Sequence, residues 1–178
     1  DDPSYRSTLL RMRKANAAHI REIKDTGFVP EGELFEAYEQ NGTLYTTYVR
    51  QLPLNDIIAT AETATRIANT RQLKQYLKSE VKAIRFWGAM GCLVQPSQAK
   101  KCQKQLQQCL KDESGDVAAT AAEALYLIDE REQAIAAFER LLQHDNPYVV
   151  LRVANALEAT EADSPKLRAV IAEILKRD

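Results

Sequence analysis

The chain has 178 residues, of which 45% are hydrophobic and 28% charged, and a formal net charge of −1. This is the composition of a globular protein rather than a disordered one. It provides no broad positive field to attract nucleic acid or an anionic membrane, and no apolar run nears the roughly 20 residues of a membrane span.

The six Gly and six Pro cluster at breaks between long helix-favouring stretches, and β-branched runs with period-two alternation are nearly absent. The fold class that follows is all-α. Pro3 to Lys24 reads as one long amphipathic helix, closed by Asp25-Thr26-Gly27, with Gly27 suited to a left-handed helix stop. Residues 27–31 form a rigid turn, and a short helix around Glu33 to Glu39 ends at Asn41-Gly42. Its carboxylates, Glu31, Glu33, Glu36 and Glu39, read as a solvated face. Leu44 to Pro53 is expected to be a short helix plus loop. Its Tyr45 and Tyr48 are either exposed recognition aromatics or, as favoured here, a seam onto the rest of the fold. Residues 1–53 thus form an N-terminal linker helix and irregular turn segment.

The remainder, 54–178, is built from repeats. Leu54 to Ala68 looks like the second helix of a degenerate unit, with Ile57, Ile58, Ala61, Ala64 and Ile67 inward. Beyond it, Leu77, Ile84, Ala89 and Cys92 are each followed 33 residues later by Leu110, Val117, Ala122 and Leu125. Those are followed 32 residues later by Leu142, Val149, Ala154 and Leu157. Such a register marks a repeat array, with units at about 73–102, 106–137 and 138–171. Each unit is a helical hairpin: first helices at about 99–111 and 131–143, second helices at about 115–128 and 147–159. Ser114 and Asn146 are matching N-caps, and Pro147 takes a first-turn position that needs no N–H. A hairpin of this kind cannot bury its apolar face alone, so hairpins stack into a superhelix. A final helix from Ser164 to Lys176 caps the stack.

Few residues suggest chemistry. Cys92 aligns with Leu125 and Leu157 and reads as core, as do Cys102 and Cys109, seven residues apart on one helix. With only His19 and His144 to add, no zinc spacing arises, so no catalytic, cofactor or metal site is assigned. Lys100, Lys101 and Lys104, like Arg11, Arg13 and Lys14, read as solvated basic faces. The candidate contact residues are Arg85, Phe86 and Trp87, together with Tyr45 and Tyr48. Arg85 is suited to hold a buried carboxylate between repeats. Adjacent on one helix, Phe86 and Trp87 point apart, one into the core and one beneath the N-terminal helix.

The alanine-rich hairpins, with Ala-Ala-Glu-Ala-Leu at 121–125, resemble HEAT-like repeats. Nearly the whole chain resembles the C-terminal region of a group of bacterial sulfatase-like hydrolases. Four segments carry this likeness: Asp-Asp-Pro-Ser-Tyr at 1–5; a long helix leading to Asp-Thr-Gly-Phe-Val-Pro-Glu at 25–31; Ile-Arg-Phe-Trp-Gly-Ala-Met-Gly-Cys-Leu at 84–93; and the stretch from Asp112 to Leu125. The resemblance implies an upstream catalytic domain in the same polypeptide, hydrolysing a sulfate ester such as that of a sulfated glycan, with a formylglycine and a divalent metal (calcium). It also implies export to the periplasm. No formylglycine motif surrounds Cys92, Cys102, Cys109 or Ser164. The chain, opening at Asp1 without Met, is therefore expected to be the non-catalytic C-terminal part of such a protein. The alternative is a stand-alone scaffold binding a protein partner on its concave face.

Overall fold

The computed structural model describes residues 2–43 and 49–176. Among them every regular element is helical. A short 3₁₀ turn at Pro3–Tyr5 leads into α1 (Arg6–Glu22). A second 3₁₀ turn, Thr26–Phe28, precedes α2 (Glu31–Asn41). There follow α3 (Leu54–Ala64), α4 (Thr70–Tyr76), α5 (Lys82–Leu93), α6 (Pro96–Cys109), α7 (Gly115–Tyr126), α8 (Arg131–Leu141), α9 (Pro147–Thr160) and α10 (Pro165–Ile174).

The array has two layers. In the inner layer α3, α5, α7 and α9 pack side by side in chain order, while α4, α6, α8 and α10 back them. Residues at intervals of about 3.6 put the small side chains of α7 on every side of the helix, so neighbours approach from all directions. Each residue from Gly115 to Leu125 is buried, between α6 and α8 behind, α5 and α9 on the flanks, and α2 in front. The close approach extends to α5. A Cβ at Gly91 would stand 2.8 Å from the Ala64 carbonyl oxygen, too near for any larger residue without a shift.

The hairpin ends are set by local chemistry. Ser114 Oγ accepts the Val117 amide, Asn146 Oδ1 accepts that of Tyr148, and Ser164 Oγ accepts that of Leu167. Asn69 and Gln72 form a reciprocal capping box at the start of α4. The breaks between hairpins fall at 94–95, 127–130 and 161–164, so the units expected at about 73–102, 106–137 and 138–171 are offset and cut through α6 and α8.

Four local expectations need correction. The long N-terminal helix is a 3₁₀ turn followed by α1, and its left-handed stop is Lys24 (φ 54°), not Gly27. Gly27 sits instead in the next turn, where its amide donates to Asp25 Oδ1 at 2.9 Å. Ile67 is 77% exposed: α3 ends at Ala64, and the turn that follows rotates Ala68 inward in its place. Ala154 is exposed, unlike its repeat partners Ala89 and Ala122, because among the described residues no further inner-layer helix stacks on α9. Glu33 is buried and Glu36 half-buried, since α2 lies against α7 and α9; only Glu31 and Glu39 of that acidic set face water.

Candidate functional site: the clasped inner face

The inner layer of a helical stack is its most continuous surface, and here the protein's own N-terminal segment lies across it. Residues 26–41 run over α3, α5, α7 and α9 and are held by backbone-directed contacts. The Asp116 carboxylate on α7 accepts the amides of Gly32 and Glu33, in the first turn of α2. It therefore meets the unsatisfied N–H groups and positive dipole end that every helix presents there. Asn146, at the start of α9, donates from Nδ2 to the Gly32 carbonyl at 2.9 Å and to Glu36 Oε1 at 3.4 Å. Lys82 of α5 reaches Glu36 at 4.0 Å. Gly32 is required at this crossing, because a Cβ would drive into the Asp116 carboxylate.

Burial pushes the Asp116 carboxyl up to about 6, with Glu36 adding to the rise. The two backbone amides and Arg152 oppose that rise. Arg152 of α9 is itself paired with Glu123 of α7, which ties the last two inner helices together.

Phe86 and Trp87 are both half-buried and stack edge to face, 5.3 Å between centroids. Trp87 Nε1 donates to the Phe28 carbonyl at 2.7 Å, and its ring lies 6.2 Å from that of Phe28. The pair meets the 26–30 turn rather than α1. Together with Tyr148, Leu151 and Arg152, these aromatics line a cleft of about 260 Å³. A second cleft, of about 430 Å³, shares Glu31 and Tyr148 with the first and is completed by Leu34, Phe35 and Tyr38. Phe35 and Tyr148 stack across it at 5.5 Å.

Arg85 lies outside both clefts. It grips Asp112 of the next repeat with Nε at 2.7 Å and Nη2 at 2.8 Å, and Nη1 donates to the Ser79 and Glu80 carbonyls. The Asp112 hydrogen bond holds the guanidinium further above its usual pKa. Tyr45 and Tyr48 lie outside the described residues.

The thiols pack in the core, where Cys92 holds the Cys102 thiol below its usual pKa against the opposing effect of burial. Cys92, Cys102 and Cys109 are all buried. The Cys92 thiol is pushed up by its neighbour Cys102 and by burial, while burial pushes Cys109 up to about 12. His144 Nδ1 accepts the Asn146 amide, which fixes the turn before α9. Among the described residues no group of His, Cys, Asp and Glu is arranged to hold a metal ion, and no helix is long and apolar enough to cross a membrane.

The residues missed by sequence reasoning are Asp116, Asn146 and Gly32. Each has a local reading, first-turn acid, N-cap and helix start, that conceals its role across the fold. A family model described as HEAT repeats matches residues 70–158 and, in an overlapping register, 103–178. No curated protein and no solved structure matches the chain.

Proposed function

The chain belongs to the HEAT-repeat family, and from that premise we propose that it is a non-catalytic assembly module, which joins folded protein units through its N-terminal helix. Helical-repeat arrays are extended surfaces for holding other proteins. The observation that carries the reading is the contrast between the inner face and α1. The inner face is already covered by residues 26–41, whereas α1 has only Ile20 buried and leaves Leu9, Leu10 and Met12 exposed, as is Tyr5 just before it. A helix with so little packing gains its stability from a neighbour. This favours attachment through α1 over capture of a partner in an open concave face.

A finer reading makes the module the C-terminal accessory domain of a sulfatase-like hydrolase, which it would hold or pair. That reading rests on the four sequence segments alone. Its check is the coding sequence upstream of Asp1, where a Cys- or Ser-x-Pro-x-Arg motif would support it and a nearby start codon would remove it.

The assembly reading itself is tested by hydrogen exchange over residues 6–18, in this chain at micromolar dilution, where copies are apart, and in the full polypeptide its gene encodes. At least tenfold slower exchange in the full protein is expected. Equal, rapid exchange in both would overturn the reading.

A further inference from the structure

The strongest unassigned features are two exposed apolar surfaces of opposite electrostatic character on the same chain. The first is one side of α1. Tyr5, Leu9, Met12 and Ile23 fall on a single stripe at helical spacing, and Leu9 and Met12 are 43% and 54% exposed. Arg6 and Arg13 stand along one edge of it, Arg11 and Lys14 lie further round the helix, and the only acidic residue of the helix is Glu22, at its far end. Over 17 residues the helix is about 25 Å long. Because the whole chain carries a net charge of −1, the remainder of the molecule is acidic.

The second surface is the larger cleft between α2 and α9. Its floor is Leu34, Phe35 and Tyr148, its wall is Tyr38, and its one charged lining residue is Glu31. Glu39, exposed on the same helix, adds a second negative charge nearby. Tyr38 and Tyr148 are 51% and 40% exposed, too open for aromatics that only fill a core. At about 430 Å³ the cleft has room for aliphatic side chains entering from outside.

We infer that α1 of one copy docks into the α2–α9 cleft of a second copy, with Leu9 and Met12 seated among Phe35, Tyr38 and Tyr148 and the flanking arginines facing Glu31 and Glu39. This rests on the assembly reading above and names the partner. Charge complementarity selects this occupant: a basic apolar stripe meets an acidic-rimmed apolar cleft, and every copy carries both. Reciprocal exchange then buries two such contacts about one two-fold axis and closes the assembly at a dimer. An anionic membrane would satisfy the arginines but would leave the cleft uncovered. The stripe also lacks the Trp and Phe that anchor interfacial helices.

The test is sedimentation equilibrium of the 178-residue chain over a range from about 1 to 200 μM at low salt. The expected mass rises from the 20.0 kDa monomer to twice that value. Raising the salt to about 0.5 M weakens association, because the contact includes exposed opposite charges. Leu9→Asp and Tyr38→Asp each weaken it at least tenfold. Both residues are solvent-exposed, so helical circular dichroism is unchanged. Arg13→Glu alone and Glu31→Lys alone weaken it, and an equimolar mixture of the two single variants forms heterodimers more readily than either forms homodimers.

A monomer at every concentration overturns the inference. So does a dimer indifferent to Leu9→Asp and Tyr38→Asp, or binding of α1 to phosphatidylserine vesicles in place of self-association. A monomeric chain whose α1 is nonetheless protected in the full polypeptide would refute this partner and leave the assembly reading standing.

Discussion

Replacing Asp116 with Asn isolates the electrostatics of the clasp. Asp116 is 5% exposed, and its carboxyl is raised from 3.8 to about 6, chiefly by burial. A carboxyl whose pKa is higher folded than unfolded favours the native state when protonated. That stabilisation is fully present below about pH 4 and is lost as pH rises through about 6. The shift of about two pKa units corresponds to at most about 3 kcal/mol. The carboxamide of the Asp116→Asn variant is neutral throughout, so it carries no such slope. It also leaves one amide of α2 facing a donor instead of an acceptor, a fixed cost of about 1–3 kcal/mol that does not vary with pH.

The diagnostic quantity is therefore the difference between the two proteins as a function of pH. Urea unfolding, followed by circular dichroism and by Trp87 fluorescence at pH 4.0 to 7.5, measures it, and coincident transitions would license the two-state treatment. Relative to the parent, Asp116→Asn should gain about 2–3 kcal/mol between pH 4 and pH 7. Parallel profiles, differing by a constant amount, would refute the burial argument. A variant that loses ground as pH rises would mean that the carboxylate, and not the acid, is the favoured form against the α2 amides.

Leu125→Ala should cost about 2–5 kcal/mol, and Leu157→Ala clearly less, because Leu125 is fully buried while Leu157 is only half-buried at the open end of the stack. Equal losses in denaturant midpoints would contradict that ordering. Removing the guanidinium in Arg85→Ala strands Asp112 in a largely buried site and should cost about 3 kcal/mol, with Arg85→Lys recovering only part of it. Gly32→Ala should loosen α2, measured as faster hydrogen exchange over residues 31–41, while exchange in α7 changes little. Cys92, Cys102 and Cys109 should resist a thiol reagent in the native protein and react together on unfolding; rapid labelling of any one would place it outside the core.

The stack was legible because its signals are local. N-caps, helix-starting prolines and an apolar register repeated at 33 and 32 residues lie within single hairpins or between adjacent ones. The same register misled where the array stops repeating. Ala154 matches Ala122 in sequence, but among the described residues no inner-layer helix covers it, since α10 packs on α8, and Ile67 lies just past the end of α3. The clasp was not legible, because its contacts join residues far apart in the chain. Gly32 and Asp116 meet across 84 positions, and nothing near Asp116 distinguishes a carboxylate serving its own helix from one capping another. Likewise the acidic pattern of α2 reads as a solvated face until the helix is seen lying on α7 and α9.

The most direct test of the account is amide hydrogen exchange on the chain at micromolar dilution, where copies are apart. The clasped stack predicts slowest exchange in α7, protection in α2 within about tenfold of it, and residues 6–18 of α1 exchanging nearly as fast as a free peptide. Free exchange in α2, or α1 as protected as α7 in the monomer, would contradict both the covered inner face and the unpartnered helix from which the function is argued.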